Sequence, residues 1–380
     1  MWEIRLALFR PDKVGRHSVT ERLVIPVLRP LLPKAHRIAP YWERIDETNV
    51  YSNFGPLVSE LENRIAEYVG VEPRNIVILS NATAALEGAL SIQKNRGNVS
   101  WGLPAWTFTA TASSTIRAQV SGQFLDVGEN WRVRTNSDVP NLIDVLPFGA
   151  RLDSLEYAST ISSLVIDGAA SFFSLENSGS QLPTNAGLVV SLHATKSLGA
   201  GEGGFFISHD SDWVDEIRSW SNFGFNPEKE SVFVGTNAKM SEYSAAVGLA
   251  ALDTLSSNRS LWRDQLERAL RLSSDFGLRP APALSNRLIS PYWVVETDSP
   301  RTRSRLESAL DKHLIGHRNW WGLGCHKMAA FKSIPRENLP MTDHLAATTL
   351  ALPMHLGLSP VDWDRIENAL IDFSEMTTSD

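Results

Sequence analysis

Cysteine is nearly missing from this sequence: Cys325 is the only one among 380 residues. A lone thiol excludes an internal disulfide framework and any Cys-rich zinc site. No apolar run approaches the roughly 20 residues that a membrane-spanning helix requires. There is no surplus of positive charge either. The 36 Lys and Arg stand against 43 Asp and Glu, a formal net charge of −7. Such a chain lacks the basic field of a general nucleic-acid binder. The opening MWEIRLALFRPDK has too short an apolar run, broken by Arg10 and Pro11, to be a secretory signal. These absences predict a soluble, cytoplasmic protein with no nucleic-acid or membrane partner. The N-x-[ST] triplets at Asn81, Asn98 and Asn258 are then chance matches.

What is present is apolar and aromatic. Hydrophobic residues make up 43% of the chain, 12 of them tryptophans, enough to bury an ample core without staples. The length predicts two domains. Residues 1–50 are rich in Pro and Arg with little periodicity, and read as an arm. Leu57, Leu61, Ile65 and Tyr68 recur at helical spacing before the stop Gly70. Short apolar runs then alternate with helical stretches. IVIL from Ile76, FLDV from Phe124, LIDVL from Leu142, LVID from Leu164, LVVS from Leu188 and FFIS from Phe205 predict strands. Several are apolar throughout, as in a sheet covered on both faces. The class predicted is α/β with a mostly parallel sheet over 51–255. Helices are expected at 240–255 and 261–272. The rhythm changes in a smaller α+β domain, 256–380, with a strand at WVVET from Trp293 and helices at 301–310 and 362–371. A loop rich in Gly, Trp and Pro is expected from Gly316 to Pro353.

Two motifs tempt and fail. GAGEGG, Gly199 to Gly204, satisfies G-x-G-x-x-G, but a dinucleotide site needs a helix after it, and the strand signal FFIS follows. Cys325 beside His326 has no second Cys and no His at ligand spacing, so it predicts a packed or substrate-facing pair instead of a metal site.

Four features together carry chemistry. SNATAALEGAL from Ser80 opens a helix directly after a strand, offering free backbone N–H groups to an anion. LPAWTFTATA from Leu103 is a second strand-to-helix junction, with Trp106 at its tip. LVIDGAAS puts Asp167 at the carboxyl end of a buried strand, the sheet edge where ligands sit. SLHATKSLGAGEGG places Lys196 among small residues and glycines beside another strand end, as a Schiff-base former. A phosphate cradle, a flat aromatic, a carboxylate for a pyridine nitrogen and a lysine for an aldehyde make up a pyridoxal phosphate site.

At these residues the chain resembles the DegT/DnrJ/EryC1/StrS family of sugar aminotransferases, from about Tyr51 to Leu370. YSNFGPLVSELE, SNATAAL, PAWTFTATA, VIDGAAS, SLHATKSLGAGEGGFF, GTNAKMSEYSAAVG and LPMH fall in the family's order. The resemblance implies a fold type I large domain with a smaller C-terminal domain. It implies pyridoxal phosphate cycling through pyridoxamine phosphate. Lys196 would bond the cofactor aldehyde and move the proton, and Asp167 would hold the ring nitrogen protonated. Trp106 would stack on the ring, and Ala82, Thr83 and Ser191 would bind phosphate. Asn237 would reach the phosphate of the partner subunit, which implies a homodimer with shared sites. Trp320, Trp321 and His326 would line the substrate mouth, with Arg318 and Lys327 available for substrate phosphate.

The sequence departs from the family at three places. Ala82 stands where Gly is usual, Lys239 where Arg is usual, and Ala170 where Gln or His sits near the ring hydroxyl. Ser171 or a water would replace that last contact. Lys196 is retained where the family's sugar dehydratases carry His, which favours transamination. The substrate so implied is a keto carbon of a nucleotide-linked deoxysugar, with glutamate as donor. A keto sugar without a nucleotide, dehydration, and a non-catalytic regulator on the same fold are the competing readings.

Overall fold

A computed structural model describes residues 24–135, 139–153 and 155–378. The first helix, α1 (Ala35–Thr48), lies in the segment read as an arm. Ile38, Tyr41 and Ile45 recur at helical spacing and pack one face of α1 on the core, a signal hidden in the reading of an arm by Pro40 and the neighbouring Pro and Arg residues. Helix α2 (Pro56–Val69) follows the expected pattern. It starts on a proline, whose missing N–H costs nothing at that position. It stops at Gly70, whose φ of 82° suits a residue without a Cβ.

Strand β1 (Ile76–Leu79) leads into α3 (Ala82–Asn95), and β2 (Ser100–Pro104) into α4 (Thr109–Arg117). Then come β3 (Ser121–Leu125), β4 (Asn141–Val145), β5 (Ser163–Asp167), β6 (Ala186–Ser191) and β7 (Gly204–Ser208). These seven form one sheet in the order β1-β7-β6-β5-β4-β2-β3. Strand β7 runs antiparallel to both β1 and β6, and the remaining neighbours are parallel. Period-2 alternation divides these buried strands between two cores. Ile76 and Ile78 join one apolar cluster while Val77 and Leu79 join the other. Phe205 and Ile207 lie opposite Phe206 in the same way. With both faces covered, the strands need apolar residues at every position, which is why they read as unbroken runs. Each such buried side chain contributes on the order of 1.5–3 kcal/mol.

Helices α5 (Ser211–Trp220) and α6 (Glu242–Leu252) complete this layer, and α7 (Leu255–Asp275) leads away from it. The smaller unit has a three-stranded antiparallel sheet, β8 (Arg279–Pro280), β9 (Trp293–Glu296) and β10 (Thr349–Leu352), in the order β10-β9-β8. It also carries α8 (Pro282–Ser285), α9 (Pro300–Lys312), α10 (Pro340–Thr348) and α11 (Pro360–Thr378). The stretch expected to be a loop to Pro353 thus contains α10 and β10. Only four residues of β10, TLAL, carry its signal, and α10 has a weak apolar face. Among the described residues no helix is long and apolar enough to cross a membrane.

Because β1, β2, β4, β5 and β6 point the same way, their carboxyl ends share one edge of the large sheet. The segment from Val24 closes over that edge. Ile25 pairs with Ile315, and the Met354 N–H donates to Val27 O at 3.1 Å.

Candidate active site

A cavity of about 380 Å3 opens at this shared edge. Its floor is built by strand ends. Asn81 caps α3, its side chain accepting from the Ala84 N–H at 2.8 Å. Ala82 and Thr83, the first helical residues, line the cavity with the positive helix end behind them. Ser191 lies there at the end of β6 and Asp167 at the end of β5.

Asp167 is 5% exposed, and among the described residues no cation pairs with it. Its Oδ2 accepts from Thr111 Oγ1 at 2.7 Å and its Oδ1 from the Ala169 N–H at 3.1 Å. Burial pushes this carboxyl above its ordinary value, against those two hydrogen bonds and the more distant Lys196. A buried carboxylate with two neutral donors and no counter-charge suits a cationic N–H group in front of it. That is the property of a protonated pyridine.

Lys196 sits in a tight turn after β6, where its N–H donates to His193 O at 2.9 Å. The glycines that follow are spacers. A Cβ on Gly204 would lie 2.3 Å from the Ala82 nitrogen, and one on Gly203 2.3 Å from the Met240 methyl. GAGEGG therefore lets β7 pass against the start of α3, and the strand β7, not a helix, follows it. The Lys196 Nζ donates to the Tyr292 hydroxyl at 2.8 Å. Tyr292 had no signal in the sequence beyond its place just before β9.

The structure brings Ala82, Thr83, Asp167, Ser191, Lys196, Arg318, Trp320 and Trp321 to one cavity, and leaves four expected residues off it. Trp106 is 1% exposed and packs edge-on against Trp321, ring centroids 5.2 Å apart, so it is a wall behind the wall. The aromatic on the cavity is Phe108, 52% exposed, at the cap of α4. Asn237 is exposed and away from this chain's cavity. His326 is buried, 3.4 Å from Asp343, and burial holds its imidazole below the ordinary value. Lys327 is ion-paired with the same Asp343. Neither lines the cavity, since the Asp343 carboxylate holds both side chains. Cys325 is fully buried, its thiol directed at Thr107 O, and burial pushes it up to about 12, where it is no nucleophile.

Of the departures, Ala170 does line the cavity and brings no polar group. Ser171 is 1% exposed and is not among the residues that line the cavity. Lys239 lies outside the cavity, donating to Asn222 Oδ1 at 2.7 Å.

The mouth is aromatic. Phe148 stacks on Trp321 at 4.4 Å and 17°, and Arg318 lies 4.1 Å over the Trp320 ring. Phe148 has φ 53°, left-handed backbone that a bulky residue adopts only under constraint. Leu28 brings the N-terminal segment to the same opening.

The family model for the DegT/DnrJ/EryC1/StrS aminotransferase family matches residues 34–144 and 152–371. The chain belongs to this family. Among relatives of the DegT/DnrJ/EryC1/StrS family, Protein Rv3402c of Mycobacterium tuberculosis is 26% identical over 371 residues, covering 91% of this chain and 89% of that one. The dTDP-4-amino-4,6-dideoxy-D-glucose transaminase of Shigella dysenteriae is 27% identical over 353 residues, covering 88% and 94%. A crystal structure of DesI in the presence of its TDP-sugar product superposes with a TM-score of 0.81 at 26% identity, covering 94% of this chain and 96% of that one. The expected fold, a large α/β unit with a mostly parallel sheet and a small C-terminal unit, is the observed one.

Proposed function

We propose that this DegT/DnrJ/EryC1/StrS family member is a pyridoxal phosphate-dependent transaminase that moves an amino group from glutamate to a keto carbon of a nucleotide-linked deoxysugar. One observation carries the reading: a helix start, a buried carboxylate without a counter-ion and a lysine amine share one cavity. Bound there, pyridoxal phosphate supplies an aldehyde that exchanges the amino group and a ring that withdraws electrons. The protein's residues hold and steer it. The Ala82 and Thr83 N–H groups and the Ser191 hydroxyl take the phosphate. Asp167 keeps the proton on the ring nitrogen, and Phe108, in place of Trp106, covers a ring face. Lys196 Nζ would hold the aldehyde carbon and, with its amine free, would carry the proton between the substrate carbon and the cofactor carbon.

The walls support a deoxysugar. Leu28, Phe148, Trp320 and Trp321 offer apolar faces to C–H groups, and Arg318 offers a cation at the rim for phosphate. The product would be an amino sugar for a surface polysaccharide, such as lipopolysaccharide, or for a natural product. His326 and Lys327 have no part in this site.

A homodimer in the cytoplasm follows from the same reading. Asn237 would reach the partner's phosphate, and the segment before it exposes Phe223 (46%), Phe225 (39%), Val232 (56%) and Val234 (91%). An apolar patch of that kind marks an interaction surface. The division proposed at residue 255 lies at the first residue of α7, just past the two-residue link from α6.

The test is spectroscopic. Protein loaded with pyridoxal phosphate should be yellow, glutamate should bleach it, and the correct keto-sugar nucleotide should restore the colour. Lys196→Ala should abolish both responses. Turnover by that variant would sink the assignment.

A further inference from the structure

Tyr292 lies at the meeting point of the two sheets, and its position is fixed from several sides. Its N–H donates to Ser290 Oγ at 3.1 Å, and that hydroxyl donates to Phe148 O at 2.6 Å. Its ring meets Trp320 edge-on at 5.1 Å and Phe148 at 5.8 Å. The residue is 6% exposed, yet its hydroxyl faces the cavity. Among the described residues that hydroxyl has a single hydrogen-bond partner, Lys196 Nζ, at 2.8 Å.

We propose that Tyr292 is a positioning residue for Lys196. This rests on the transaminase reading above. When the lysine amine is free, one of its N–H groups is held by the phenol oxygen. The lone pair of Nζ is then directed elsewhere, into the cavity. In that state Nζ takes a proton from the α-carbon of the bound amino donor, becoming an ammonium, and later returns the same proton to carbon. The phenol keeps its own proton throughout and stabilises the ammonium by accepting from it. The braced ring is what makes the aim reproducible, because a long lysine side chain has several rotamers to lose. A misplacement of about 1 Å at such a contact costs about 100-fold in rate.

Tyr292→Phe keeps the ring packed and removes the oxygen. In the loaded variant the visible band persists, and borohydride still fixes the cofactor to Lys196. The glutamate half-reaction slows by about 100-fold with the half-saturating glutamate concentration unchanged. The deuterium isotope effect with α-deuterated glutamate rises, because proton transfer becomes more fully limiting. In the apoenzyme, capture of added pyridoxal phosphate by Lys196 slows, since the amine is no longer held toward the cavity. That readout does not depend on turnover. A folded variant with wild-type half-reaction rate, isotope effect and capture rate would overturn the role. Failure of the wild type itself to form the band on Lys196 would instead overturn the transaminase reading.

Discussion

Thr111 donates its hydroxyl to Asp167 Oδ2 across 2.7 Å, linking the first turn of α4 to the end of β5 beneath the cavity. Thr111 is itself fully buried and braced by Thr107 Oγ1 at 2.8 Å. The pair sets which way the carboxylate faces and lowers the cost of keeping it ionised. Thr111→Val, nearly isosteric, removes that donor. A hydrogen bond to a charged group is worth about 1.5 kcal/mol at the low end, so pyridoxal phosphate should bind about tenfold more weakly. An absorbance titration of the apoenzyme measures it. An unchanged dissociation constant would mean that Thr111 does not orient Asp167.

The acid–base behaviour of Asp167 gives a second expectation. Burial raises this carboxyl in the folded protein. The folded state therefore holds its proton to higher pH than the unfolded state does, and stability falls as pH rises from the ordinary carboxyl range. Above the ordinary carboxyl range this buried group, lacking a counter-ion, therefore destabilises the apoenzyme. Asp167→Asn should then melt higher than wild type as apoprotein near neutrality, with the advantage shrinking toward about pH 4. Adding pyridoxal phosphate should reverse the order, because only the carboxylate pairs with a ring N–H cation. Circular-dichroism melts with and without the cofactor decide it, and a variant less stable than wild type under every condition refutes the account.

Much of the fold could be read from the sequence because strands covered on both faces leave unbroken apolar runs, as at Ile76, Leu164 and Leu188. Lys196 and Asp167 were readable for the same reason, each marking the end of such a run. What could not be read depended on geometry across the chain. Trp106 and Phe108 are two residues apart at one junction, and only the turn into α4 decides which ring faces the cavity. Tyr292 and Lys196 are 96 residues apart, and no local pattern joins them. His326 and Lys327 were placed at the mouth by position, but Asp343 on α10 draws both away. Helix α1 was legible in the spacing of Ile38, Tyr41 and Ile45, but Pro40 inside it reads as a helix breaker and masked that stripe.

The exchange of roles between the two aromatics can be measured directly. Phe108 is half-exposed in the apoenzyme, so Phe108→Ala should leave the melting temperature nearly unchanged. It should weaken pyridoxal phosphate binding by about fivefold, the worth of about 1 kcal/mol of ring stacking. Trp106→Phe should do the opposite. It opens space against Trp321 in a closed cluster, at a cost of about 2 kcal/mol in stability, with little effect on cofactor affinity. If Trp106→Phe loses the cofactor while Phe108→Ala does not, Trp106 is the stacking ring after all.

Shared active sites make a prediction that no monomer can satisfy. Asn237 is exposed and off its own cavity, whereas Lys196 lines it. In a dimer where Asn237 serves the partner's phosphate, Lys196→Ala and Asn237→Asp each inactivate the homodimer, the second by setting a carboxylate against a phosphate. A mixed dimer of one subunit of each kind places both defects in the same site. The other site then combines an intact lysine with an intact asparagine. Mixing the two inactive proteins under conditions that exchange subunits should therefore restore transamination. Val234→Asp on both chains, which puts charge on the exposed apolar segment, should prevent that recovery by blocking assembly. Light scattering reports the assembly and the glutamate-driven colour change reports the site. Absence of recovery despite demonstrated subunit exchange would confine Asn237 to its own chain and remove the basis for a shared site.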